Sequence, residues 1–102
     1  MPQYSITSEA EDDLSEIIEY MSQDSVYQAD LWLGRIYNVF ELIAYNPQLG
    51  RERSDFTDAN IRFYPFGNYF IVYHETTLVE ILGIVSSYRD ISALLANHCL
   101  TR

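Results

Sequence analysis

The segment from residue 62 to residue 90 constrains the fold of this 102-residue chain more than any other part. It contains three β-rich runs, dense in aromatic and β-branched residues, joined by turns too short to hold a helix. Residues 65–68 break the first pair of runs, since Gly67 and Asn68 can adopt positive φ, and the polar residues 75–77 break the second. The pattern predicts an antiparallel meander that follows two helices, which is typical of an α+β layer and not of a nucleotide-binding α/β sheet.

Two helices precede this sheet, and local signals mark their ends. Residues 3–7 alternate apolar and polar side chains, which predicts a short N-terminal strand. Residues 8–11 have the serine–glutamate spacing of a capping box, so the first helix is predicted to begin there. The second helix is predicted to begin at a cap formed by Asp24 or Ser25. It is predicted to end at residues 46–47, because the residue before a proline avoids helical backbone angles.

Apolar side chains on both helices follow the helical repeat and predict the core. In the first helix they form one stripe, made of Ala10, Leu14, Ile17, Ile18 and Met21. In the second helix the main stripe consists of Val26, Ala29, Leu33, Ile36, Tyr37, Phe40, Ile43 and Ala44. Four further apolar residues lie on its other side, namely Leu31, Trp32, Val39 and Leu42. Either the first helix and the sheet together cover this helix, or part of its apolar surface waits for a partner chain.

The remaining segments complete a single domain over residues 1–102. Residues 47–60 are polar and predict a loop, and residues 91–100 predict a short terminal helix capped by Asp90. The predicted order is β-α-α-β-β-β followed by this helical piece. The expected fold class is therefore α+β, with an N-terminal strand and a helical hairpin packed on an antiparallel β-sheet.

Composition and charge exclude several classes of protein. No apolar run is long enough to span a membrane and no signal peptide is visible. The single cysteine excludes an intrachain disulfide, and we expect a cytoplasmic protein. The net charge is −9, from fifteen acids and six arginines, and residues 1–34 hold eight of the acids and no base. Affinity for nucleic acid comes mainly from basic side chains, so direct binding of DNA or RNA is disfavoured.

Metal and cofactor sites have no motif in this sequence, and we expect none. The two histidines, His74 and His98, lie in different predicted elements without neighbouring ligands at zinc spacing. The acids of the first helix form either a solvated face or a docking site for a basic partner. For Arg62 and the pair 89–90, the structural alternative to a functional role is a salt-bridged corner that holds the terminal segment to the sheet.

The order of these signals along the chain resembles the ParE branch of the ParE/RelE toxins of bacterial type II toxin–antitoxin modules, also called plasmid stabilisation proteins. The matching residues are Tyr4-Ser5-Ile6, Ala10, Asp13-Leu14, Ile17, Asn46-Pro47, Gly50-Arg51, Arg53, Arg62-Phe63, Pro65-Phe66-Gly67-Asn68-Tyr69, Ile71-Val72-Tyr73, Val79-Glu80-Ile81, Ile84 and Arg89-Asp90. They cover nearly the whole chain. The resemblance implies a small α+β toxin that is neutralised by a cognate antitoxin, itself a small DNA-binding protein.

The resemblance also implies two kinds of target. ParE-like members poison DNA gyrase and block replication, whereas RelE-like members cut mRNA on the ribosome. This chain has no lysine and carries Ser86-Ser87 where relatives often have a histidine, and both departures argue against RNA cleavage. We therefore expect a non-enzymatic toxin that inhibits DNA gyrase. The alternatives are a ribosome-dependent mRNA endoribonuclease and an inactive relative that only binds the antitoxin.

The candidate site residues fall into two sets. The target-binding candidates are Arg51, Arg53, Arg62, Tyr88 and Arg89. In the ribonuclease alternative the arginines hold the phosphate, and Tyr88 lies near the 2′-hydroxyl. The antitoxin-binding candidates are the acids Asp12, Glu16 and Glu19 and the apolar residues Leu31, Trp32, Val39 and Leu42. The apolar residues are expected to anchor an antitoxin helix, while the acids steer its basic side chains.

Overall fold

A computed structural model describes residues 3–52, 61–86 and 94 of the chain. Two helices and five strands lie in this part of the chain. In chain order they are β1 (Tyr4–Ile6), α1 (Ser8–Ser22), α2 (Val26–Tyr45), β2 (Arg51–Glu52), β3 (Ile61–Phe66), β4 (Tyr69–Glu75) and β5 (Val79–Val85), with a 3₁₀ turn at Pro47–Leu49 between α2 and β2. The predicted α+β class, with two helices ahead of a meander, is confirmed.

The five strands form one sheet in the order β1-β5-β4-β3-β2. The predicted meander is confirmed, because β3 pairs with β4 and β4 with β5 in antiparallel directions. The N-terminal strand β1 joins the sheet beside β5 in parallel, with Tyr4 opposite Val79. The prediction of a loop was wrong at β2, which pairs with β3 and places Arg51 opposite Phe63. Nothing in the local sequence of this exposed two-residue strand distinguishes it from a loop, and only the neighbouring strand makes it one.

The turn between β3 and β4 is shorter than the sequence suggested. Gly67 has a φ of 59° and occupies the turn with Asn68, as expected for residues that tolerate the left-handed region. The placement of Pro65 in this turn was wrong, because Pro65 lies within β3 opposite Phe70. Proline is tolerated there because β2 covers β3 only as far as Phe63, so Pro65 is exposed beyond the paired part of this edge.

Both helices begin with side-chain caps. The α1 cap is Thr7 and not Ser8, because the Thr7 hydroxyl accepts a hydrogen bond from Ala10 N at 3.1 Å. The same hydroxyl donates to Leu82 O at 3.2 Å, so contacts with β5 select the capping residue over its neighbour in sequence. Ser25 caps α2, as one of the two predicted residues, by accepting from Gln28 N at 3.1 Å. These caps fix the entry of each helix into the hairpin.

The core between the helices and the sheet contains most of the predicted stripe residues. Fully or nearly fully buried members of the helices are Ala10, Leu14, Ile17, Ala29, Ile36, Phe40, Ile43 and Ala44. Ile18, Met21 and Leu33 are only half-buried. Val26 and Tyr37 were wrongly placed in this core, since they are 63% and 39% exposed. Val26 is the first residue of α2, and the Tyr37 ring packs edge-on against Phe40 at 5.6 Å on the rim of the core.

The other face of the sheet is also covered. Ile61, Phe63, Val72 and Leu82 form a second buried cluster, and Leu94 packs against it. Leu94 is helical and is the described residue of the predicted terminal helix 91–100, whose other residues lie outside the described part of the chain. Both faces of β4 are therefore buried, which accounts for the consecutive burial of residues 71–73. Neither described helix is long and apolar enough to cross a membrane.

Candidate functional site

The hydroxyl of Tyr73 joins the sheet to the segment that precedes β2. It accepts a hydrogen bond from Gly50 N at 2.7 Å and donates one to Pro47 O at 2.6 Å. The Tyr73 side chain is fully buried among core residues of the helix face. A Cβ at Gly50 would lie 2.6–2.9 Å from the Tyr73 ring and hydroxyl, so only glycine lets the backbone approach this closely. We call this arrangement of Tyr73, Gly50 and Pro47 the tyrosine clamp.

Arg62, a predicted target-binding residue, is tied to the same segment. Its Nη1 donates to Gly50 O at 2.8 Å, and its Nη2 lies 3.7 Å from a carboxylate oxygen of Glu52. Its Nε is buried without a hydrogen-bond acceptor among the described residues, and the side chain is 19% exposed. The described contacts of this arginine thus hold β2, and the salt-bridged corner stays a prediction. The partner pair 89–90 lies outside the described residues.

Burial raises the pKa of the Tyr73 hydroxyl above its ordinary value of 10.0, because desolvation disfavours the phenolate. The hydrogen bond from Gly50 and the positive charge of Arg62 act in the opposite direction but do not cancel this effect. The hydroxyl is therefore protonated at neutral pH. A neutral phenol can donate and accept at once, which is what the clamp requires.

Of the five predicted target-binding residues, Arg51 and Arg62 are described. Arg51 is exposed in the edge strand β2, next to Gly50 and one residue from Glu52. Arg53, Tyr88 and Arg89 lie outside the described residues. The fold therefore brings Arg51 and Arg62 onto adjacent strands, with Arg62 turned into the clamp and Arg51 presented to solvent.

The acidic face of α1 borders an open cavity of about 520 Å³ between this helix and the end of β5. Two of the predicted antitoxin-binding acids, Asp12 and Glu16, line it, together with Glu9 and Asp13. Apolar side chains such as Ile17 and Leu94 also belong to its lining. The third predicted acid, Glu19, is exposed one turn further along α1. The acids thus form a rim of negative charge around a partly apolar depression.

The apolar antitoxin-binding candidates of α2 divide into two groups. Leu31 and Leu42 are 36% and 45% exposed. Trp32 is half-buried and packs edge-on against Phe66 and Tyr69, each at 5.8 Å between ring centroids. Val39 is likewise half-buried against the core.

None of these four α2 residues lines the acidic cavity, although Trp32 packs against Tyr69, which does. A second depression, of about 350 Å³, lies between the two helices and is lined by Glu11, Leu14, Ser15, Ile18, Leu33 and Tyr37. Its apolar members were predicted to lie in the core, which holds for the buried Leu14, whereas Tyr37 is exposed at the groove. Helical periodicity alone does not separate a groove wall from a core position.

The sequence predicted no role for Gly50, Tyr73 or Asp13 beyond their place in the family pattern. The Gly50 and Tyr73 contact joins residues 23 positions apart, and no local signal in the sequence announces it. Within the described residues, no group of three or more histidine, cysteine or acidic side chains is arranged to hold a metal ion.

Comparison with known proteins identifies one family. The family model described as the ParE toxin of the type II toxin–antitoxin system, parDE, matches residues 4–91. The match runs from β1 through β5 and includes the tyrosine clamp and the acidic face of α1. A comparison with curated protein sequences found no match.

Proposed function

We propose that this chain, which belongs to the ParE toxin family of type II toxin–antitoxin systems, inhibits DNA gyrase and thereby blocks replication. Membership of the family makes it a toxin component with an antitoxin as its partner. The observation that carries the proposal is the family match over residues 4–91, which spans the described helices and sheet. Gyrase as the target and neutralisation by the antitoxin are the steps that we add.

The contacts and exposure of the arginines support a toxin that binds its target and catalyses no reaction. The chain has no lysine, and the guanidinium of Arg62 is engaged by Gly50 and Glu52. Of the two predicted target-binding arginines that the structure describes, Arg51 is the exposed one. An arginine is a poor general base at neutral pH. We therefore propose that Arg51 makes a charged contact with a protein surface and that the toxin is not an enzyme.

The overall charge supports a protein target in place of nucleic acid. A chain with a net charge of −9 repels the phosphate backbone over most of its surface. Arg51 lies on the edge strand, away from the acid-rich residues 1–34 in sequence, and can make a local contact with an acidic patch. Such a rim charge contributes to recognition and association rate more than to affinity.

For the antitoxin, we propose a chain that combines apolar and basic side chains. The exposed Leu31 and Leu42 offer apolar contacts along α2, and the acids Asp12, Glu16 and Glu19 offer negative charge along α1. A helix with apolar anchors would suit the first surface, and basic residues would suit the second. We propose that one antitoxin chain contacts both surfaces.

The test is a gyrase supercoiling assay with the purified chain, whose fold is checked by circular dichroism. We expect inhibition of supercoiling or trapping of cleaved DNA at micromolar toxin. Arg51→Ala should weaken the effect several-fold, whereas Arg35→Ala, which removes an exposed arginine of α2, should not. If the folded wild-type chain neither inhibits supercoiling nor traps cleaved DNA, gyrase is not the target. Cleavage of mRNA during translation, with replication unaffected, would favour the ribonuclease alternative.

A further inference from the structure

We infer that the tyrosine clamp positions Arg51 for the target, so that Tyr73 is a positioning residue of the toxin although it is buried and touches no partner. The inference rests on the proposed function, because it takes Arg51 as a target contact. It assigns a role to a core hydroxyl and to one glycine, neither of which reaches the surface.

Pairing with the rest of the sheet holds β2 only weakly. In the described part of the chain its ladder consists of two residue pairs, Arg51 with Phe63 and Glu52 with Arg62. It is also the outermost strand, so its other edge has no neighbour in the described sheet. A two-residue edge strand gains little from pairing alone, and its backbone needs other contacts to hold one geometry.

Side chains hold the backbone of the segment immediately before Arg51. Tyr73 holds the two ends of the turn 47–50 through its hydroxyl, at 2.6 Å to Pro47 O and 2.7 Å to Gly50 N. Arg62 binds the Gly50 carbonyl at 2.8 Å. Both polar groups of the Gly50 backbone are therefore held by side chains of the meander. Gly50 is bonded directly to Arg51. The position of the Gly50 backbone therefore sets the direction in which the Arg51 side chain extends from the surface.

The tyrosine clamp tolerates neither a side chain at position 50 nor the loss of the Tyr73 hydroxyl. Gly50 is buried and packs so closely on the Tyr73 ring that any side chain would displace the turn. Removal of the hydroxyl would leave the Gly50 N–H buried without its acceptor, a cost that the segment can relieve by moving outward. Both changes act on the position of the 47–52 segment and leave the Arg51 side chain itself intact.

The experiment is a double-mutant cycle on toxicity and on gyrase inhibition. It compares the wild-type chain with Tyr73→Phe, Arg51→Ala and the double variant, each expressed at graded levels without antitoxin and each purified for the supercoiling assay. Tyr64→Phe is the matched control, since Tyr64 lies half-buried on the neighbouring strand and its hydroxyl makes no hydrogen bond within the described residues. Gly50→Ala is the second route to the same displacement.

We expect Tyr73→Phe to raise the toxin concentration needed for growth arrest several-fold and by no more than Arg51→Ala does, because Tyr73 acts through Arg51. Gly50→Ala should act in the same direction, and Tyr64→Phe should match the wild type. In the Arg51→Ala background, Tyr73→Phe should cause little further loss, because the residue that it positions is gone. Affinity for the antitoxin should not change, which separates positioning from a general loss of folded protein.

Each other outcome is decisive. Folded Tyr73→Phe with wild-type toxicity overturns the inference, as does an undiminished loss in the Arg51→Ala background. If Tyr73→Phe does not fold, Gly50→Ala carries the same cycle and the same criteria. Coupled losses in growth arrest without any gyrase inhibition would support the inference and remove gyrase as the target. A folded wild-type chain that does not arrest growth removes both the proposed function and this inference.

Discussion

The carboxylate of Asp13 accepts a hydrogen bond from the backbone N–H of Ile84 at 3.0 Å, across 71 positions of sequence. The parallel strand β1 covers β5 only from Val79 to Ile81, so Ile84 lies beyond the paired part of that edge. A side chain of α1 thus takes the place of a strand at this point of the sheet. Asp13 fastens the helical hairpin to the meander.

Asp13→Ala should lower the free energy of unfolding by about 2 kcal/mol, because it leaves a partly buried backbone donor without its acceptor. Asp12→Ala is the control, since Asp12 is the exposed neighbour and its removal relieves the same charge repulsion among the α1 acids. Urea denaturation of both variants measures the difference. Equal stabilities would mean that the Asp13 contact contributes nothing to the fold.

Two glycine-to-alanine changes should shift the free energy of unfolding in opposite directions. Gly67→Ala should destabilise by about 1 kcal/mol, because its φ of 59° disfavours any residue with a Cβ. Gly34→Ala should stabilise by about 1 kcal/mol, because Gly34 lies within α2 and a Cβ there would meet nothing within 4 Å. Thermal unfolding of the two variants gives both values. The same sign for both changes would contradict this account of the turn and of the helix.

Stability at alkaline pH should depend on Tyr73. Burial raises the pKa of its hydroxyl above 10.0, so the folded state binds this proton more tightly than the unfolded chain does. The contribution is fully present below pH 10.0 and is lost as the pH rises through the folded-state pKa. Tyr73→Phe should therefore flatten the fall in stability above that pH.

The flattening should be partial, because desolvation and the nearby Glu41 also raise the pKa of Tyr4. Denaturant unfolding between neutral pH and about pH 11 measures both slopes across the ordinary pKa of tyrosine. Tyr20→Phe, which makes the same substitution at a tyrosine that is 70% exposed, is the control. An identical slope for Tyr73→Phe would mean that the clamp hydroxyl does not titrate with folding.

The exposed and packed apolar residues of α2 should separate binding from stability. Leu42→Ala should weaken antitoxin binding by about 1 kcal/mol or more while leaving the free energy of unfolding nearly unchanged, since the side chain is 45% exposed. Trp32→Ala should instead lower the free energy of unfolding by about 2 kcal/mol, because half-burial reduces the cost below that of a fully buried tryptophan.

Titration calorimetry on the toxin–antitoxin pair and urea unfolding of the toxin provide the two measurements. Trp32 also stays a predicted antitoxin anchor, and a folded Trp32→Ala that loses antitoxin affinity would support that role. A folded Leu42→Ala that binds like the wild type would mean that the antitoxin does not contact this side of α2.

Charge reversal on α1 should act on the rate of association. Glu16 is exposed and lines the acidic cavity, so Glu16→Lys should slow association with the antitoxin and flatten its dependence on salt. Asp24→Lys, at an exposed acid of the connection between the helices, makes the same change in net charge away from this cavity. Stopped-flow mixing at several salt concentrations distinguishes the two. Equal effects would assign steering to the net charge and not to the cavity.

Several elements were predictable because short-range backbone preferences decide them. The Asn46-Pro47 pair ends α2, Ser25 begins it, and Gly67 makes the hairpin turn possible, each through preferences that act within a few residues. The order of helices and strands followed from the period of the apolar residues. The same periodicity placed most of the helix core correctly, and its errors at Val26 and Tyr37 lie at a helix end and on the rim.

The contacts that build the candidate site were decided by tertiary structure. Thr7 caps α1 in place of Ser8 because β5 holds its hydroxyl, and Arg51 becomes part of a strand because β3 lies beside it. Tyr73 meets Gly50 across 23 positions, and Asp13 meets Ile84 across 71. Sequence alone determined the two helices, the N-terminal strand and the three strands of the meander, since those preferences are local. Which polar groups meet depends on how the finished layers pack, because a hydrogen bond between distant residues forms only when the whole fold brings its two atoms within reach.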